Sequence, residues 1–148
     1  MAVITVNPGS KIAARVLDRD PEAVIDGDWI AMRLAAALRH REALYDQPFY
    51  RLVHAEADGL PGVVIDRFGD TAVIQANAAW ADVHIDALTA ALVEQTGVRH
   101  VLKNASGRTR SLEGLDDVSG VLHGEAPSAP VQVPMNGAIY MADLTGGQ

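Results

Sequence analysis

The chain has 148 residues, 49% of them hydrophobic, which suits one ordinary domain of about 100 to 150 residues with its own core and leaves no room for three. With 12 basic against 19 acidic residues the formal charge is −7, which excludes a general attraction to phosphate backbones and confines any nucleic-acid contact to local patches. There is no cysteine, so disulfides, thiolate metal sites and thiol nucleophiles are excluded, and no apolar run approaches the roughly 20 residues of a membrane span.

Residues 3–17 alternate around Val3, Ile4, Val6, Ile12, Val16 and Leu17 with a turn at Asn7-Pro8-Gly9, a pattern that predicts a short hairpin. The start lacks the charged head and long apolar core of a signal peptide, so a cytoplasmic chain is expected. Asp20-Pro21 breaks the strand. Asp26 or Asp28 then caps a helix whose Ile30, Leu34, Ala37, Leu38 and Tyr45 share one face, with Arg33, Arg39 and Glu42 on the other, and Pro48 ends it. Trp29 and Trp80, at helix starts, read as packing anchors, and Phe49 and Tyr50 likewise.

The stretch Tyr50 to Asp70, YRLVHAEADGLPGVVIDRFGD, is the most informative one. Leu52, Val53, Val63, Val64 and Ile65 supply strand residues, and Asp58, Gly59, Pro61 and Gly62 supply the turn between them. A third strand, Thr71 to Asn77, follows across Gly69-Asp70 and completes a three-stranded meander. Asp82 opens a second helix with Ile85, Leu88, Leu92 and Val93 at helical spacing, ended by Gly97, and a strand runs from Arg99 to Lys103. Ala126 to Pro130 reads as a short linker, and Val131 to Val133 with Ala138 to Ala142 as a hairpin around Asn136-Gly137.

Glu56 and Asp58 are expected on one strand face near the turn. They invite an acid–base reading, but Asp58 before Gly59 suits turn building better, with Glu56 paired to Arg51 or Arg67. A hydrolase built on His54, Glu56 and Asp58 is the weakest alternative. His54-Ala55-Glu56 lacks the cysteines that would complete a zinc shell, so no metal is expected. Arg39, His40 and Arg41, beside Glu42 and Asp46, read as an ordinary exposed helix face. From Gln95 to Leu112, Arg99, Lys103, Arg108 and Arg110 stand without an acidic residue, and this segment is the candidate for gripping RNA phosphates. Gly146-Gly147-Gln148 opens no helix that would make it a phosphate loop.

The chain also resembles a known family, the class I S-adenosylmethionine (SAM)-dependent rRNA methyltransferases that begin with a PUA domain, of the 23S rRNA cytosine-5 type. The resemblance runs through Val6-Asn7-Pro8-Gly9-Ser10-Lys11-Ile12, Arg15-Val16, Asp20-Pro21 and Ile25-Asp26, and peaks at Tyr50-Arg51-Leu52-Val53 with Glu56-Ala57-Asp58-Gly59-Leu60-Pro61-Gly62. It continues at Asp66-Arg67-Phe68-Gly69, Arg110, Glu113-Gly114-Leu115, Gly120, Gly124-Glu125, Asp143-Leu144 and Gly147-Gln148. Asn104 and Met135 stand where the family shows an acidic residue and a glutamate.

The resemblance implies an α/β fold of α+β type: a small mixed or antiparallel sheet with two amphipathic helices, a C-terminal β-hairpin, and partial PUA strands at the N-terminus. It implies that residues 1–19 are a PUA remnant, 20–129 the central α/β domain, and 130–148 a hairpin leading toward an absent SAM-binding domain, the whole being a fragment truncated at both ends. The family's catalytic cysteine is absent, so no catalytic or cofactor-binding residue is assigned. SAM belongs to the full-length family, and the expected role is positioning 23S rRNA without methyl transfer by these residues alone. The alternative is a noncatalytic interaction domain that self-associates through the C-terminal hairpin, where Val131, Val133, Ile139 and Met141 are apolar.

Overall fold

A computed structural model describes residues 2–6, 14–105, 110, 115–116, 118–127, 131–135 and 138–142. The first hairpin pairs β1 (Val3–Val6) with β2 (Ala14–Asp18) antiparallel, Ile4 opposite Val16. The expected Asn7-Pro8-Gly9 turn lies outside the described residues.

Helix α1 (Gly27–Leu44) begins where the Asp26 carboxylate accepts the Trp29 N–H at 3.0 Å, occupying one of the donors that a helix start leaves unpaired. Trp29, Ile30, Leu34 and Ala37 recur at helical spacing and form its buried face. Tyr45, expected on that face, is instead the extended residue after the helix. It is half exposed and rests its ring 5.4 Å from that of Tyr50.

The meander then runs β3 (Phe49–His54), β4 (Val63–Phe68) and β5 (Thr71–Ala76), all antiparallel, and Gly69 makes the tight corner between β4 and β5 with a φ of 64°. After β5 the chain crosses over through α2 (Ala79–Val83) and α3 (Ile85–Thr96) to β6 (His100–Lys103), which lies parallel to β5 with Thr71 opposite His100. β7 (Gly120–His123) closes the sheet antiparallel to β6, giving the order β3-β4-β5-β6-β7. The sheet is thus mixed. A separate hairpin pairs β8 (Val131–Met135) with β9 (Ala138–Ala142); its Asn136-Gly137 turn and the side chains of Val133, Ile139 and Met141 fall outside the described residues.

The second helix differs from its expected form. Helical residues start at Ala79, not Asp82, and break at His84, so among the described residues the expected second helix is divided into α2 and α3. Trp80 explains the early start: its ring is buried edge-on to Trp29 at 5.8 Å, and its Nε1 donates to the Pro61 carbonyl at 2.8 Å. The turn ends where the His84 N–H bonds the Trp80 carbonyl, and α3 restarts with Leu88 N–H on the His84 carbonyl. Gly97 closes α3 in the left-handed conformation, as its position predicts.

One face of the sheet, with Leu52, Val63, Ile65, Ala72, Ile74 and Val101, packs against α1 and α3 through Ile30, Leu34, Leu88 and Leu92. These side chains are fully buried, each contributing about 1.5–3 kcal/mol for the larger aliphatics.

Candidate nucleic-acid interface

The four candidate RNA-contacting residues separate in three dimensions. Arg99 is 78% exposed and only distantly paired, its Nε 4.0 Å from Asp70. Lys103, at the end of β6, is largely buried and places its Nζ 3.2 Å from Asp82 Oδ1. Arg110 is 1% exposed: Nη1 donates to the Ala76 carbonyl and to Asp82 Oδ1 at 2.9 Å, and Nε donates to the Asp116 carbonyl at 2.9 Å. Arg108 lies outside the described residues.

Lys103 and Arg110 therefore converge on Asp82 beyond the carboxyl ends of the parallel pair β5/β6, and Arg110 faces no solvent. Burial works to raise the Asp82 pKa, but hydrogen bonds from Arg110 and Lys103 and the attraction of their charges outweigh it and hold the carboxyl below its ordinary value. The segment between Gln95 and Leu112 has no acid of its own, yet its charges are answered by Asp82 from the crossover and Asp116 from downstream. Nearby, Asn77 Oδ1 is buried without a hydrogen-bond partner.

The motif between β3 and β4 is not a continuation of the strands. Ala55–Asp58 form a 3-10 turn, so Glu56 and Asp58 do not share a strand face. The turn opens on Ala55 in the left-handed region (φ 48°) and closes on Gly59 (φ 74°). Asp58 is committed: its Oδ2 accepts the His54 backbone N–H at 2.6 Å and an Arg41 guanidinium N–H at 2.7 Å. Arg41, read from sequence as part of an exposed basic face, is mostly buried by this contact and also donates to the Arg51 carbonyl. Gly62, with φ 78°, lies against Ala78, where an added Cβ would come within 2.5 Å of the Ala78 Cβ. Pro61 supplies the carbonyl that holds Trp80. Arg51, expected near Glu56, instead pairs with Asp66 across β3/β4 at 2.8 Å, and Arg67 donates to the Tyr50 hydroxyl and to the Gly69 and Thr96 carbonyls.

A contact absent from the sequence reading joins the first hairpin to α1. Asp18 Oδ2 accepts both Trp29 Nε1–H at 2.9 Å and Arg33 Nη2–H at 3.1 Å, while Oδ1 accepts the Asp20 N–H. The backbone bond from Asp20, then the Trp29 and Arg33 bonds, hold the Asp18 pKa below its ordinary value. Arg33 also lies 4.7 Å over the Trp29 ring. The spacing of Arg33 on the polar side of α1 gave no hint of a partner 15 residues upstream.

No three His, Asp or Glu side chains among the described residues converge on a metal position. Nor do the described residues fit a SAM pocket. The junction after parallel strand β5, Ala76-Asn77-Ala78, has no glycine for close backbone approach, its helix is five residues long, and Asp82 is already held by Lys103 and Arg110. No helix among the described residues is long and apolar enough to cross a membrane.

No protein-family model matches the chain. It is 40% identical over 141 residues to Ribosomal RNA large subunit methyltransferase I of Shewanella amazonensis, covering 93% of this chain and 36% of that protein. Against the protein of the same name from Vibrio cholerae it is 35% identical over 150 residues, covering 99% of this chain and 38% of the relative. The chain thus spans little more than a third of the length of the curated relatives it matches. Among solved structures, it superposes with a TM-score of 0.78 and 16% identity on a proposed SAM-dependent methyltransferase from Streptococcus mutans, over 95% of this chain and 36% of that one. A proposed methyltransferase solved in complex with SAH superposes with a TM-score of 0.81 at 17% identity, over 99% of this chain and 37% of that one. These two likenesses establish the shared fold.

Proposed function

We propose, from the premise that this chain is a partial homologue of the Ribosomal RNA large subunit methyltransferase I proteins, that it is the RNA-positioning portion of a SAM-dependent 23S rRNA (cytosine-5) methyltransferase-like protein and transfers no methyl group by itself. One observation carries the reading: 93% of the chain aligns at 40% identity with only 36% of such a relative. Residues 1–19 would be the closing strands of a PUA domain, 20–129 the central α/β domain, and 130–148 the hairpin toward the cofactor domain. Arg99 and Arg108 would touch RNA backbone, while Lys103 and Arg110, both held by Asp82, would act through the local fold and not by direct contact. SAM would supply the methyl group in the full-length family, and the residues described here would hold and orient RNA. Calorimetric titration of the purified chain with SAM is expected to give no saturable heat; saturable binding would contradict this division of labour.

A second reading, a self-associating interaction domain, draws on Ile4, Val6 and Val16, which are each more than half exposed on the first hairpin. Light scattering separates the two, a strict monomer at high concentration ruling against self-association.

A further inference from the structure

A cleft of about 370 Å³ opens between the end of β2 and the turn that follows β3, lined by Asp18, Arg19, Arg33, Glu56, Gly59 and Pro61. We infer that this cleft takes one unstacked nucleotide of single-stranded RNA, with Arg19 on its phosphate and Arg33 on its base edge. The inference rests on the RNA-positioning reading and deepens it by naming a site that the Arg99 to Arg110 segment does not include. The volume falls within the range of about 300–1,000 Å³ typical of ligand pockets.

Two features separate the cleft from an ordinary surface dip. Arg33 is pre-organised: its guanidinium lies over the Trp29 ring, is anchored on Asp18, and remains about one-third exposed. Gly59 makes room for it, because a Cβ there would collide with Arg33 Nη1. The neighbouring Arg19 is exposed and makes no hydrogen bond or ion pair among the described residues, so its charge is available to an incoming phosphate. The planar Arg33 guanidinium, fixed over Trp29 and on Asp18, suits the flat edge of a base, while the unpaired Arg19 suits the phosphate of the same nucleotide. Arg41, Arg51 and Arg110, like Arg33, each hold a carboxylate, which leaves Arg19, among the described residues, as the unpaired guanidinium at this cleft.

The test is a fluorescence-anisotropy titration of the full chain with a fluorescein-labelled single-stranded 12-mer RNA and with the same sequence as a duplex, at several salt concentrations. The single strand is expected to bind more tightly than the duplex. Arg19→Ala is expected to weaken it about fivefold or more and to reduce the salt slope by about 0.7, the loss of one phosphate contact. Arg33→Lys, which keeps the charge but loses the fork, is expected to weaken binding with little change in salt slope. Unchanged affinity in Arg19→Ala, or a duplex bound as tightly as the single strand, would overturn the inference. If Arg99→Ala weakens binding in that same experiment, the RNA-positioning reading survives without the cleft. No binding of either RNA by the unmodified chain overturns both.

Discussion

Asp82 shows how an acidic chain spends its cations. One carboxylate receives Lys103 and the buried Arg110, and removing it would leave two positive charges with poor hydration. Asp82→Ala is therefore expected to destabilise the fold by about 3 kcal/mol in urea denaturation, whereas Asp70→Ala, whose pair with Arg99 is exposed, is expected to change stability by less than about 0.5 kcal/mol. The pH dependence has a defined sign. The Asp82 pKa is depressed in the folded state, so the stability it contributes is complete above its unfolded value of about 3.8 and is lost as the pH falls through the lower, folded value. Denaturation curves between pH 5 and 2 should show this acid-side loss diminished in Asp82→Asn relative to the parent. At Gly62, a left-handed φ and the nearby Ala78 Cβ act together, and Gly62→Ala is expected to cost more than about 2 kcal/mol by the same assay.

Helix α1 was readable in advance because its cap and apolar spacing agree, and the structure places it at Gly27–Leu44 with Asp26 as cap, ending at Tyr45 ahead of the expected stop at Pro48. Asp26→Ala should lower the stability by about 1 kcal/mol, measured as a fall in Tm. The meander was readable for the same reason, with glycines marking each corner. The early start of α2 at Ala79 was not, since what fixes it is tertiary: the Trp80 indole donates to the Pro61 carbonyl, 19 residues earlier in the chain. Strand β7 also escaped the reading. Gly120–His123 is short and mostly exposed, so its pairing with β6 has no alternating signature to announce it. The basic segment was visible as composition, but its electrostatics depend on Asp82, 28 residues before Arg110, and on Asp116, which lies just downstream of the acid-free run.

Taken whole, the molecule is a helix-backed mixed sheet carrying a net charge of −7, with few cations left unpaired on the described surface. Helix α3 carries Asp86 and Glu94 and no basic residue, whereas α1 sets Arg33, Arg39 and Arg41 against Asp28 and Glu42, so the negative charge of the helical side is concentrated on α3. Its place within longer relatives is carried by sequence identity, and its fold by superposition on two distant methyltransferase-like structures. The positioning role is tested most directly by titrating the purified chain with fragments of 23S rRNA at low and moderate salt. The account predicts saturable binding that weakens as salt rises; absence of binding even at low salt would contradict it.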